Sequence, residues 1–139
     1  VTSSHCNSAG MLLDNLSPRD VRNVYGTDKA YRTYVGTAPF QPEGEIFDQI
    51  AKIGKEVGVT TGRTRKINYL DLNEMKRAVR VNGCTHLIIN KMDILKDLNH
   101  WKMLINNSIT SLTEESFKQM IINSFPNVDV QFSYSPYEI

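Results

Sequence analysis

Apolar positions recur at helical spacing in four stretches of the chain and at strand spacing in two. The first stretch follows Ser17-Pro18, a cap hydroxyl with a first-turn proline. It puts Val21, Val24, Tyr25 and Asp28 on one short face that runs loosely toward Tyr31. In the second, residues 45–57, Ile46, Ile50, Ile53 and Val57 form a stripe that reads as core packing. The third opens on Asp71 and Glu74, close to a capping box. It aligns Leu72, Met75, Ala78 and Val79 and stops at Asn82-Gly83. Its cations Lys76, Arg77 and Arg80 read as a solvated face. The fourth opens on Thr113-Glu114-Glu115, turns Phe117, Met120 and Ile121 inward, and ends at Pro126.

Cys84-Thr85-His86-Leu87-Ile88-Ile89 is short and mostly apolar, as a buried strand is. Val128-Asp129-Val130-Gln131-Phe132 alternates as a second strand. Between them, residues 99–111 carry Trp101, Leu104 and several Asn and Ser, and read as a weakly helical connection. No internal repeat or low-complexity segment appears. The order describes an α/β chain holding part of a mainly parallel sheet with packed helices.

At 139 residues the chain is one domain's worth, long enough to bury a modest core. Its 16 basic and 15 acidic residues balance, which argues against a nonspecific nucleic-acid binder. Cys6 and Cys84 are too few and too far apart for a disulfide framework or a metal site. His86, flanked by apolar residues, reads as structural, and His5 and His100 have no partner at ligand spacing, so no metal site is expected. No run is apolar enough to span a membrane and no signal-peptide pattern opens the chain. A cytoplasmic setting is the default expectation. The chain starts at Val1 without an initiator methionine, and reads as the interior of something larger.

Two constellations carry chemistry. The first is Gly58-Val59-Thr60-Thr61-Gly62-Arg63-Thr64-Arg65-Lys66, with three cations in four residues behind two hydroxyls. Glycines four apart disfavour a helix, and uncompensated cations disfavour a strand. The segment reads as a mobile loop closing on an anion, with Arg63 and Arg65 as two-pronged donors to carboxylate or phosphate. A solvated basic turn is the plainer alternative, which the flanking Thr-Thr-Gly disfavours.

The second constellation is a pair of strand ends. A strand, a helical crossover and a parallel strand put both C-terminal ends on one edge of a sheet, where open α/β folds bind ligands. Asn90-Lys91-Met92-Asp93 stands at one end and Ser133-Tyr134-Ser135 at the other. Asn-Lys-x-Asp is a pattern associated with guanine nucleotides. An aspartate carboxylate accepts from both the ring N–H and the amino group of guanine, a donor pair adenine lacks. The Lys91 stem would pack along the base with its ammonium solvated. The alternative is that Asp93 only caps the turn at residues 94–98.

Together these motifs resemble the adenylosuccinate synthetase family. The loop is similar to that family's Thr-Thr-Gly-Arg-x-Arg-Arg pattern, and Val1-Thr2-Ser3-Ser4 to its Val-Thr-Ser-Ser-Asn segment. Residues 29–40 follow its Lys-Ala-Tyr-x-Thr-Arg-Val-Gly-x-Gly-Pro-Phe pattern, with Tyr34 and Ala38 replacing an arginine and a glycine. The serine turn follows Ser-Thr-Gly-Pro, with Tyr134 and Ser135 in the middle positions.

The resemblance implies a P-loop-NTPase-like nucleotide ligase, with residues 1–139 as its C-terminal part and the N-terminal part absent. Residues 1–66 would hold the nucleotide and aspartate loops, and residues 84–139 the guanine-binding unit. It further implies that GTP and Mg²⁺ activate the 6-oxygen of inosine monophosphate, which aspartate's amine then displaces.

By the same resemblance, Val59, Thr60, Thr61, Gly62, Arg63, Thr64 and Arg65 would bind aspartate, and Thr2, Val35 and Arg63 the purine monophosphate. Arg65, Lys91, Met92, Asp93, Ser133, Tyr134 and Ser135 would bind GTP. Catalytic groups and most Mg²⁺ contacts would belong to the missing N-terminal part or a partner chain, and the chain alone would be inactive. The complete protein would be a homodimer, and this chain resembles compact archaeal- or phage-like members.

Two alternatives stand beside this reading. One is a phage-type enzyme acting on deoxyguanylate. The other is the tail of a P-loop GTPase switch, which needs neither the arginine loop nor the Thr2 motif.

Overall fold

The computed structural model describes residues 17–60 and 62–137. Among these, seven strands and four α-helices follow a short 3₁₀ turn at Pro18–Asp20. The strands are β1 (Tyr25–Lys29), β2 (Tyr31–Tyr34), β3 (Lys66–Asp71), β4 (His86–Asn90), β5 (Lys102–Ile105), β6 (Ser108–Ser111) and β7 (Asp129–Phe132). The helices are α1 (Glu45–Ile53), α2 (Leu72–Asn82), α3 (Met92–Asp97) and α4 (Glu114–Ser124).

Two sheets form. One is all parallel, in the order β1-β4-β7. The other runs β2-β3-β5-β6, with β3 and β5 parallel and the outer pairs antiparallel. The expected α/β class with mainly parallel pairing is therefore observed. Phe47, Ile67, Leu70, Ile89, Met103 and Phe117 are fully buried between the sheets and helices. Each such side chain contributes about 1.5–3 kcal/mol through burial.

Local signals account for three helix starts and one stop. Ser17 and Asp20 form a capping box, though the turn they open lasts only three residues. Asp71 accepts from the amides of Asn73 and Glu74 to start α2, and Thr113 accepts from Ser116 to start α4. Gly83, at φ 61, ends α2 in the left-handed conformation that glycine adopts without strain.

Four expectations are corrected. The helix expected from Ser17 toward Tyr31 stops at Asp20, and residues 25–29 are a strand. Parallel pairing of Tyr25 through Lys29 with His86 through Asn90 overrides the weak helical face. Residues 99–111 form the β5–β6 hairpin instead of a weak helix. Its turn residues Asn106 and Asn107 both take positive φ, the geometry a two-residue hairpin turn requires.

Helix α1 ends at Ile53, short of Val57. It buries Phe47, Ile50 and Ala51, while Ile53 and Val57 are exposed. Finally, Lys66 belongs to strand β3 and not to a loop. The strands expected at residues 84–89 and 128–132 are present, shifted at their ends.

Candidate functional site

The C-terminal edge of the parallel sheet gathers the candidate residues Lys91, Met92, Asp93, Ser133, Tyr134 and Ser135. There β4 ends at Asn90, and Lys91 takes φ 64, a left-handed conformation uncommon for a side chain with a Cβ. Strained backbone of this kind concentrates at functional turns. The turn is locked to its neighbour: the Met92 amide donates to the Ser133 carbonyl at 3.2 Å, and the Ser133 amide to the Ile89 carbonyl at 2.8 Å. The two strand-end turns therefore lie side by side, with Asp93 half-buried in the first turn of α3.

Individual side chains divide more sharply. Met92 is fully buried, so only its backbone faces this edge. Ser133 is buried and donates to the Ser135 carbonyl at 2.7 Å. Tyr134 turns away toward α4, donating to Glu114, with Lys96 and Lys118 over its ring. Burial and the Glu114 hydrogen bond push its phenol up from the ordinary 10.0. The ammonium of Lys91, expected in solvent, instead donates to the Gly54 carbonyl at 3.1 Å.

That contact leads to the turn after α1, which is also where the arginine loop begins. Glu56 is 3% exposed. Its carboxylate accepts from Lys29 Nζ at 2.7 Å to each oxygen and from the Tyr31 hydroxyl at 2.9 Å. Arg65 Nη1 stands 3.6 Å from the same carboxylate, and the Arg65 amide donates to the Glu56 carbonyl at 2.9 Å. Burial, then the bond to Glu56 and the charges of Glu56 and Asp93, push the Tyr31 phenol far above its usual range.

The loop itself is closed at its base. Val57 and Thr64 form an antiparallel bridge, and the Gly58 amide donates to the Arg63 carbonyl at 2.9 Å. The Gly62 amide donates to the Gly58 carbonyl at 2.8 Å, with Gly62 itself at φ 63. Glu56 places a carboxylate 3.6 Å from Arg65 at the base of this hairpin. Val59, Thr60, Arg63 and Thr64 project from it as exposed residues.

Val35, also exposed, follows the Tyr34–Lys66 pair and so lies beside the loop's end. Lys66 Nζ ties the same edge to the Ala38 carbonyl at 2.7 Å. Thr2 and Thr61 lie outside the described residues.

A cleft of about 580 Å³ opens along the other side of β1 and β2, against α2. Asp28, Lys29, Arg32, Asp71, Glu74 and Asn90 line it, and Arg32 pairs with Glu74 at 2.7 Å. Burial raises the Asp28 carboxyl above its ordinary 3.8. His86 stacks on Tyr25 at 4.4 Å. Among the described residues, no three of His, Cys, Asp and Glu are grouped to hold a metal ion, and no helix is long and apolar enough to cross a membrane.

Sequence patterns did not single out Glu56, Tyr31 and Lys29 for this site. Glu56 stands seven positions before Arg63, the first cation of the loop, and no local pattern links the two.

The adenylosuccinate synthetase family model matches residues 1–134. The adenylosuccinate synthetase of Meyerozyma guilliermondii is 40% identical over 139 residues, 98% of this chain and 32% of that protein. That of Petrotoga mobilis is 38% identical over 118 residues, 84% of this chain and 28% of its own length. The chain thus spans less than half the length of these curated relatives. A fully ligated adenylosuccinate synthetase from Plasmodium falciparum has the same fold, with a TM-score of 0.82 at 17% identity over 98% of this chain and 43% of that one. By the match along nearly its whole length, this chain belongs to the adenylosuccinate synthetase family.

Proposed function

We propose that this chain supplies the guanine-nucleotide and amino-acid loops of a ligase joining L-aspartate to the 6-position of inosine monophosphate. In that reaction the γ-phosphoryl group of GTP passes to the purine 6-oxygen and GDP leaves. Aspartate's amine then attacks C6, the C–O bond breaks, and phosphate departs with the oxygen.

The observation that carries the reading is the convergence, in a chain of this family, of two motifs on one short turn. Lys91 of the Asn-Lys-Met-Asp turn reaches Gly54, and Arg65 of the arginine loop reaches Glu56. Asp93 would accept from the guanine base, whose ring N–H and amino group match a carboxylate's two oxygens. Arg63 and Arg65 would face the anionic groups of aspartate and the nucleotides, as forked donors do best. Thr2 and Val35 would meet the purine monophosphate.

Magnesium supplies charge neutralisation at transferring phosphoryl groups when it is bound. Among the described residues no three metal-ligating side chains are grouped, and no residue of this chain is assigned to it. The groups that activate the 6-oxygen are likewise not assigned to this chain.

Steady-state kinetics with aspartate varied at saturating nucleotide tests the reading in a full-length synthetase carrying these residues. Arg63→Lys and Arg65→Lys keep the charge but lose the fork. Each is expected to raise the aspartate KM by about tenfold or more. An unchanged KM in both variants would mean that this loop is not the amino-acid site.

A further inference from the structure

We infer that Glu56 is a positioning residue for Arg65, and that Lys29 and Tyr31 fix it in that role. The inference rests on the reading of Arg65 as a ligand-facing residue and goes beyond it by naming what aims the guanidinium.

The geometry is specific. Glu56 holds Arg65 twice, through its carbonyl to the Arg65 amide at 2.9 Å and through its carboxylate to Nη1 at 3.6 Å. The first contact sets the backbone from which the side chain leaves. The second steers the guanidinium by charge without saturating it, since 3.6 Å is beyond hydrogen-bond length. Arg65 Nε is buried and has no acceptor at all. The Nε is thus closed to an incoming ligand, but the side chain is 34% exposed, so the arginine is oriented while its outer guanidinium nitrogens keep donors for a carboxylate or phosphate.

Glu56 is itself held on its remaining sides. Lys29 Nζ reaches both oxygens at 2.7 Å, and the Tyr31 hydroxyl reaches one at 2.9 Å. A carboxylate this buried is expensive to desolvate, and a purely structural position is often served as well by an apolar side chain. Here the charge stands between a cation from the parallel sheet and a cation from the loop. Two residues earlier, the Gly54 carbonyl accepts from Lys91. One turn thus sets both the arginine and the lysine of the two motifs.

The test uses a full-length synthetase carrying these residues, with crystal structures and aspartate kinetics on the same variants. Glu56→Gln keeps the size and removes the charge. The expected results are a displaced Arg65 guanidinium and an aspartate KM raised about tenfold, with kcat changed less than about threefold. On an Arg65→Lys background the same substitution should add less than about twofold, because its effect passes through Arg65.

Should Glu56→Gln fail to fold, Glu56→Asp keeps the charge and withdraws it by one methylene. The same displacement and the same loss of effect on the Arg65→Lys background are then expected. An Arg65 guanidinium left in place overturns the inference, as does a KM penalty that persists undiminished on the Arg65→Lys background. If Arg65→Lys by itself leaves the aspartate KM unchanged, the reading of Arg65 as an aspartate-facing residue fails. The crystal structures still decide whether Glu56 aims Arg65.

Discussion

At the scale of single residues, charge and burial decide what each acid can do. Asp93 is half-buried at a strained turn, and under the proposed reading its carboxylate distinguishes guanine from adenine. Asp93→Asn in the full-length enzyme is therefore expected to weaken GTP binding by roughly 2–3 kcal/mol, the cost of losing a charged hydrogen-bond partner. Titration calorimetry measures this directly, and equal affinity for GTP would rule out that role.

Asp28 behaves differently. Burial raises its pKa above 3.8, so the folded chain binds its proton more tightly than the unfolded chain does. Between the unfolded and folded values the native state holds more protons, and stability falls as pH rises through that window. Asp28→Asn should thus be more stable than the parent at neutral pH, with the advantage disappearing below the unfolded value. Urea unfolding across pH checks the sign. A variant less stable at neutral pH would show that the ionised Asp28 is favourably held.

At the scale of elements, the turn after α1 is tightly fitted. Gly54 has an ordinary φ of −69, so any residue could adopt its backbone conformation. Space forbids it: a Cβ there would run into the Tyr31 hydroxyl and lie 2.9 Å from the Ile50 carbonyl. Gly54→Ala is expected to cost about 1–3 kcal/mol by overpacking. It should also push Tyr31 away from Glu56. Denaturant unfolding with unchanged slope and a lowered midpoint is the expected result, and an unaltered midpoint would show that the turn yields easily.

Some elements are legible locally and others are not. Asp71, Thr113 and Gly83 announce the ends of α2 and α4 through hydrogen bonds made within a few residues. The β5–β6 hairpin was equally local, in Asn106-Asn107, but the surrounding Asn and Ser obscured it.

At the scale of the whole molecule, the parallel sheet leaves β1 and β7 as edges among the described residues. Tyr25 on β1 is 60% exposed. Unpaired edges with exposed aromatic surface favour association with other strands. The chain studied by itself is expected to self-associate as its concentration rises. Sedimentation velocity showing one monomeric species at all concentrations would count against that expectation.

The amphipathic periods, the caps, the apolar run of β4 and the Asn-Lys-Met-Asp motif at its end are set by sequence alone, because each depends on residues within one or two turns of one another. Tertiary structure decided the rest. Tyr25 through Lys29 became a strand only because β4 was there to pair with it. Glu56 came to lie buried beside Arg65, 3.6 Å from its Nη1. The Glu56 cluster joins residues 25 and 27 positions apart, and Lys91 reaches back 37 to Gly54. No periodicity records such contacts. A strand's partner and a buried charge's counter-ion are chosen by the folded surroundings, and local propensity is too weak to anticipate either.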